Sequence, residues 1–348
     1  METSVESPRS GGQRYPHKDK GKGRTHRLIL RKVRAALEEI PSPSRVRKVL
    51  VGISGGVDSG VLLHLLADIR TDGGPALAAA HVHHGIRGAE ADRDARIAER
   101  VATGHGVEFH VVRIRPPKGS RTPEHVLREL RLAALERTAR RIGADRIVLA
   151  HHRDDQAETL LLRLFTGTDL RGLASIRPYR APLWVRPLLD VSRAEIEREA
   201  ELCHIPYGTD STNLSTRPRR NFLRRRLLPI LRAEFNPRIS QHLSALAESI
   251  SKVNDLLECQ AAAALRKALV GRGRYDVTRL RALPDALRFV ALQLAYRAEA
   301  GEGSALRRVQ LRTVDSLVRT DGRERFFKLP KGVSVRRAKK WIRFGRND

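Results

Sequence analysis

Between an apolar run, Val46–Ile53, and a helical pattern, Gly60–Ile69, stand Ser54-Gly55-Gly56-Val57-Asp58-Ser59. A strand that turns into a helix within six residues constrains this chain more than its composition does. Three further short apolar runs follow at Leu77–Val82, Val107–Ile114 and Arg146–Ala150, separated by helical patterns at Asp92–Thr103 and Glu124–Ile142. The last helix has Thr122-Pro123 before it and Gly143 after it, a capped start with proline and a glycine stop. Strand alternating with helix at this spacing predicts an α/β fold, a parallel sheet with helices on both faces. Such sheets bind ligands beyond the carboxyl ends of their strands, so chemistry belongs in the segments after the runs.

The segment after the first run suits an anion. Its two glycines allow a tight turn with inward N–H groups, and the hydroxyls of Ser54 and Ser59 sit where a helix begins and its dipole favours negative charge. Together they predict a cradle for pyrophosphate. Asp58 is wrong for gripping bare phosphate, but it makes sense as a holder of Mg²⁺ or of a substrate ammonium. The dinucleotide pattern GxGxxG is absent, and so is the lysine-bearing GxxxxGK(S/T) loop.

Three more stretches are polar and unusual. His81-Val82-His83-His84-Gly85-Ile86-Arg87-Gly88 follows the second run, with Glu90, Asp92 and Asp94 beyond. His151-His152-Arg153-Asp154-Asp155-Gln156-Ala157-Glu158-Thr159 follows the fourth and opens a helix, Gln156–Leu164. Asp154 and Glu158 are four apart and share a face, with Asp155 at its edge. Asp210-Ser211-Thr212-Asn213 leads to Arg220-Asn221-Phe222-Leu223-Arg224. The five histidines mimic a zinc cluster, but the sheet separates them and each HH pair points its neighbours to opposite sides. Ser192-Arg193-Ala194-Glu195 is a capping-box pattern.

Charge names the class of partner. Fifty-five Arg and 12 Lys against 39 acidic residues leave a net charge of +28. The planar Arg fork suits phosphate oxygens, and the surplus predicts a nucleic-acid partner. A coding bias would explain Arg over Lys, but not the excess over acid. Residues 1–25 are expected to form a disordered basic arm, followed by a helix near His26–Glu39. Ser211–Ser240 holds eight Arg and one acid, Glu234. The α/β domain is placed at 26–234. Beyond it, patterns at Ile239–Leu269 and Leu283–Ala298 predict a smaller, mainly helical, basic domain over 235–348. No run approaches the ~18 apolar residues of a membrane span, and the first residues lack the apolar core of a secretory signal. Cys203 and Cys259 are too few and too far apart for a cysteine-only zinc site or an iron–sulfur cluster, and fit a reducing compartment.

The loop and the three later stretches, in this order from about Arg45 to Ile239, resemble the tRNA(Ile)-lysidine synthetase family of the PP-loop ATP pyrophosphatases. The resemblance implies a Rossmann-like PP-loop fold, ATP and Mg²⁺, free lysine, and tRNA(Ile) with a CAU anticodon, in the cytoplasm. ATP would adenylate the C2 carbonyl oxygen of the wobble cytidine, releasing diphosphate. The lysine ε-amine would then attack C2 and expel AMP, leaving lysidine.

It also implies residue roles. Ser54, Gly55, Gly56, Val57, Asp58 and Ser59, with His84 and Arg87, would hold the nucleotide, and Asp58 and Asp155 would hold Mg²⁺. Asp58, Asp155, Glu158 and Arg224 would carry catalysis, the acids binding the lysine ammonium or taking its proton. Arg128, Arg131, Arg217, Arg220, Asn221 and Arg225 would contact tRNA, with the helical domain gripping the remainder. Family members commonly read LLRGxGxxGL after the acidic stretch; here Thr166 and Asp169 replace the arginine and the second glycine. A common ExxARxxRY becomes Glu124–Leu132, which keeps Arg128 and Arg131 but not the alanine or the tyrosine. A tRNA-thiolating relative would need site cysteines, a small-acid amide synthetase leaves +28 unexplained, and a non-catalytic RNA binder would be expected to have lost Asp58 or the acidic stretch. Pairing into a homodimer stays open, as do the basis of discrimination against tRNA(Met) and the separate roles of Asp154, Asp155 and Glu158.

Overall fold

The computed structural model describes residues 23–39, 46–85, 88–115, 123–180, 182–208, 219–271, 273–301, 303–320 and 324–346. Nearly all of the expected basic arm, and the candidate residues Arg87 and Arg217, lie outside the described residues. The chain divides into two units, one running to Thr166 and resuming at Ser175–Ala245, the other made of Gly167–Ala174 and Leu246–Asp348.

In the first unit α1 (Arg24–Glu38) precedes β1 (Lys48–Gly52), α2 (Val57–Thr71), β2 (Ala76–His83) and α3 (Ala89–Gly104). Then come β3 (Glu108–Arg113), α4 (Glu124–Arg141), β4 (Arg146–Val148) and α5 (Arg153–Thr166). The short helix α6 (Leu170–Leu173) is counted with the second unit. The first resumes with β5 (Tyr179–Arg180), β6 (Trp184–Val185), α7 (Arg193–Leu202), α8 (Arg219–Phe222) and α9 (Leu228–Glu234), with a π-helical turn at Leu223–Leu227 between the last two.

The sheet runs β3-β2-β1-β4-β6-β5, parallel throughout except where β5 pairs antiparallel with β6. Side chains alternate between the two faces of a strand, so both faces of β1 and β2 need cover. Val49 and Val51 join Ile29 of α1, Leu62 of α2, Val101 of α3 and Ile196 of α7 in one core. Leu50 and Ala78 join Leu135 and Ala139 of α4, with Trp184, in the other. Burial on two sides is why these strands read as unbroken apolar runs. From β1 the chain winds outward through β2 and β3, then returns to β4 on the other side of β1. The loops after β1 and β4 therefore diverge and leave a crevice between them, the position where open α/β sheets bind ligands.

Cap chemistry sets several ends. Gly143, with φ +66°, follows α4. Pro123 occupies the N-cap of α4, extended at φ −59° and ψ 145°, directly before the first helical residue Glu124. Ser192 and Glu195 close a full capping box on α7. Asp169 accepts the Gly172 N–H at 2.8 Å and so caps α6, which gives that departure from the family pattern a local role.

The second unit takes the long helix α10 (Ile239–Ala268) from Leu246 onward. It continues with β7 (Leu269–Gly271), β8 (Arg274–Asp276), α11 (Val277–Arg281), α12 (Asp285–Ala300) and α13 (Arg308–Arg319). It ends in β9 (Arg325–Lys328), β10 (Val333–Arg337) and β11 (Trp341–Arg346). The unit is helix-rich, as expected, and it also holds a feature the sequence patterns had not suggested: an antiparallel sheet in the order β7-β8-β11-β10-β9. Val335, Ile342 and Phe344 of that sheet pack with Leu292, Tyr296 and Val314 of the helices. A buried guanidinium, Arg288, is fully matched there by Asp315 at 2.6 Å, Asp285 at 2.6 Å and the Leu283 carbonyl at 2.7 Å.

Candidate active site

The turn after β1 is built by its own hydroxyls. Ser59 Oγ accepts from the Ser54 N–H at 3.0 Å and donates to the Gly56 carbonyl at 3.0 Å, and the two serine hydroxyls lie 3.1 Å apart. Gly55 adopts φ +87°, a conformation open to glycine. Its carbonyl receives the Gly208 N–H at 2.9 Å. Gly56 stands at the N-cap of α2 and offers no side chain to the helix's first N–H groups. A turn that leaves those groups facing outward is a ready site for phosphate oxygens.

Asp58, in the first turn of α2, points into the crevice. Its Oδ2 receives Arg193 Nη1 at 2.6 Å, and its Oδ1 lies 3.7 Å from His152 Nε2. That Oδ1 is buried and has no hydrogen-bond partner among the described residues. Burial pushes the Asp58 carboxyl up from its ordinary value, against the pull of His152 and Arg193. His152, itself buried, stands between the two loops: the same Nε2 lies 3.5 Å from Asp155.

The acids after β4 divide by task. Asp154 is tied to Arg232 and accepts the Arg193 N–H at 2.9 Å, which fastens the start of α7. Asp155 takes the His152 N–H on Oδ2 at 3.1 Å, with Arg220 and Arg224 on Oδ1 at 2.9 and 3.3 Å. Glu158, with no exposed side-chain surface, takes Arg224 Nε at 2.6 Å and Arg220 Nε at 2.8 Å. Asp155 and Glu158 are three apart on α5, and Arg220 and Arg224 are four apart across the π-turn, so each pair shares a face. Burial would raise Asp155, but His152, Arg220 and the hydrogen bond from the His152 N–H outweigh it and hold its carboxyl down to about 2. Burial likewise opposes the charge on Arg220 and Arg224, yet the two carboxylates raise both guanidinium pKa values. These two acids are a cation-binding pair, and here the chain's own arginines occupy it.

The histidines are committed elsewhere. His81 bonds the Ile53 carbonyl at 3.0 Å, and burial lowers its pKa. His83 accepts the Gly85 N–H at 3.2 Å, so its other nitrogen donates to Asp92 at 3.1 Å. His84 Nε2 accepts from Arg131 at 3.2 Å, which makes that face of the ring an acceptor. Burial, then Arg186, holds His151 down to about 3, so it is neutral. Arg186 is buried, bonded to the Arg177 carbonyl at 2.8 Å, and in no ion pair among the described residues. Burial and the charges of Arg128 and Arg180 lower it to about 10. Arg128, Arg131 and Arg225 are exposed, and Asn221 is half-buried.

Two contributors escaped the sequence, Arg193 on Asp58 and buried Arg186, and His152 was read as one of five histidines but not as the link between the two loops. Arg193 carried a signal. A cation in the first turn of a helix opposes the dipole, so it needs a reason outside its own helix.

The PP-loop domain model matches residues 29–231. A tRNA(Ile)-lysidine synthase of Clostridioides difficile is 30% identical over 320 residues, covering 90% of this chain and 69% of that protein. Another, from Solibacter usitatus, is 35% identical over 305 residues, covering 86% and 67%. The chain belongs to the tRNA(Ile)-lysidine synthase family. It spans about two thirds of the length of these two relatives. Among solved structures, the U34-tRNA thiolase NcsA of Methanococcus maripaludis is 21% identical with a TM-score of 0.55, covering 66% of this chain and 80% of its own, which speaks for a shared fold. Proteins with a PP-loop domain typically use ATP with Mg²⁺. No helix among the described residues is long and apolar enough to cross a membrane.

Proposed function

We propose that this chain is an ATP-dependent carbon–nitrogen ligase that makes lysidine in tRNA(Ile). ATP adenylates the C2 oxygen of the CAU wobble cytidine with release of diphosphate, and the ε-amine of lysine then displaces AMP. The observation that carries the reading is the meeting, at the crevice between β1 and β4, of a phosphate-type turn with the cation-binding pair Asp155 and Glu158. The turn can hold the diphosphate end of ATP through its N–H groups and the Ser54 and Ser59 hydroxyls. An oxygen on a base leaves poorly until it carries AMP, so the first step needs charge on both phosphate fragments neutralised.

Asp58 and Asp155 supply the hard oxygen donors that Mg²⁺ prefers, and Oδ1 of Asp58, without a hydrogen-bond partner among the described residues, is a fitting ligand atom. Bound there, Mg²⁺ would offset phosphate charge. Asp155 stays ionised, so its role is to hold a cation rather than to take up a proton near neutrality. The lysine ammonium has the same charge as the Arg220 and Arg224 guanidiniums, and it would replace one of them on Asp155 and Glu158. The released arginine is then available to the phosphate of AMP or to the tRNA backbone. Arg128, Arg131, Arg186, Asn221 and Arg225 are the residues proposed to meet the tRNA, whose target base must be unpaired to expose C2. His84 is proposed to line the nucleotide pocket as a hydrogen-bonding imidazole.

The reading predicts which bond of ATP breaks. With Mg²⁺, lysine and an unmodified tRNA(Ile) transcript, nucleotide analysis should find AMP and diphosphate, both dependent on the transcript. Formation of ADP and phosphate instead would contradict the assignment.

A further inference from the structure

Away from the crevice, further along α2, four helices bring a second set of reactive side chains together. His26 comes from α1, His64 and Asp68 from α2, and Glu199 from α7, with Cys203 at the C-cap of α7. His105, at the C-cap of α3, sets its ring 5.1 Å from that of His64, tilted by 52°. The proposed chemistry of tRNA modification uses none of them. His64 and Asp68 are four apart on α2, and Glu199 and Cys203 are four apart along α7, so each helix presents two donors from one face.

One ligand atom from each of His26, His64, Glu199 and Cys203 lies within 4.8 Å of all the others, and only Cys203 is more than marginally exposed. A tetrahedral zinc, with bonds of about 2.0–2.3 Å, needs donors about 3.3–3.8 Å apart. The cluster therefore closes on an ion with shifts of about 1 Å. Glu199 has no exposed surface, and its Oε2 has no hydrogen-bond partner among the described residues, whereas its Oε1 meets His26 and receives Cys203 Sγ at 3.3 Å. A lone pair in such a place is costly unless something positive meets it.

Asp68 completes the arrangement. It lies 3.3 Å from His26 Nε2 and 3.7 Å from His64 Nε2, so one carboxylate faces both rings. That leaves Nδ1 of His26 toward Glu199, as observed. A carboxylate behind a metal-bound imidazole is the usual way its orientation and tautomer are set.

We propose that His26, His64, Glu199 and Cys203 form a zinc site, with Asp68 orienting both imidazoles. Nitrogen, thiolate and carboxylate donors in one set suit Zn²⁺ and exclude the oxygen-seeking Mg²⁺ and Ca²⁺. Binding releases the Cys203 thiol proton and any proton on His26 to solvent. The thiolate and Glu199 then balance the two charges of the ion, and the Asp68 carboxylate is met by the Nε2 side of both imidazoles. The ion ties α1 and α7 to α2, the helix that begins in the nucleotide turn. From Asp58 to His64, and from Arg193 to Glu199, the chain advances about 9 Å along each helix. The two helices are thus pinned twice, by the Asp58–Arg193 pair at the turn and by the ion further along.

The test reads metal, not turnover, so it stands apart from the proposed activity. The full chain, purified without chelator, is titrated with Co²⁺ as a spectroscopic stand-in for zinc. One Co²⁺ per chain is expected, with a thiolate-to-cobalt charge-transfer band that survives Cys259→Ser and is lost in Cys203→Ser. Asp68→Asn should weaken binding by about 10–100-fold. Absence of the thiolate band in the wild-type chain overturns the site, and that measurement needs no variant to fold. Equal zinc content by mass spectrometry in the wild type, Cys203→Ser and Glu199→Gln chains overturns it as well.

Discussion

Asp58→Asn is expected to bind the tRNA transcript with unchanged affinity and to turn it over on the order of 10²–10³-fold more slowly. The amide keeps the shape of the carboxylate, and its oxygen can still accept Arg193 Nη1, which now donates at 2.6 Å. Arg193 is 39% exposed, so losing this ion pair costs the fold at most about 1 kcal/mol. What disappears is the charge at the mouth of the turn, where Oδ1 has no hydrogen-bond partner among the described residues. The loss should fall on kcat and on ATP-dependent AMP formation, because nothing in the change touches the exposed arginines. Turnover at the wild-type rate would mean that Asp58 does not serve the nucleotide.

Gly55→Ala is expected to cost both fold and activity. At φ +87° the backbone suits glycine, and an alanine there is strained by about 1–3 kcal/mol. Its Cβ would stand 2.5 Å from the Asp94 carbonyl oxygen and 3.0 Å from Asp94 Cα, both backbone atoms that cannot swing aside. Relief requires moving the turn away from α3, which also strains the Gly208 bond to the Gly55 carbonyl. The melting temperature should fall by roughly 2–4 °C for each kcal/mol lost in a unit of this size, and ATP binding should be lost with the turn. Gly56→Ala is the control. There φ is −86° and the new Cβ meets only Ser54 Oγ at 3.4 Å, so a near-normal melting temperature is expected. Similar melting curves for both variants would show that the turn is not held as described.

The layout of the α/β unit was legible because its signals are local. Val49–Ile53 is apolar since β1 is covered on both faces, and Gly143 and Ser192 mark helix ends by their own chemistry. The acidic stretch after the fourth strand was legible as a site, but its division was not. Asp154 belongs to Arg232 and the start of α7, whereas Asp155 and Glu158 meet arginines 62 to 69 residues away, and no spacing rule reaches that far. His152 was undervalued for the same reason: its place between Asp58 and Asp155 follows from the strand order, in which β4 lies beside β1. The C-terminal sheet did leave a trace. Val333, Val335 and Arg337 are buried alternately along β10, as are Ile342 and Phe344 along β11, but an arginine on the buried face, Arg337, broke the apolar half of the period of two. The strands β5 and β6, two residues each, are too short to leave any pattern.

The most direct test of the account is transfer of labelled lysine to an unmodified CAU-anticodon tRNA(Ile) transcript, with ATP and Mg²⁺ present. The same RNA with uridine at the wobble position serves as the control. The account predicts label on the cytidine transcript alone, recovered as a single modified nucleoside, with AMP formed in equal amount. Label on both RNAs, or AMP released without any label on the cytidine transcript, would contradict it.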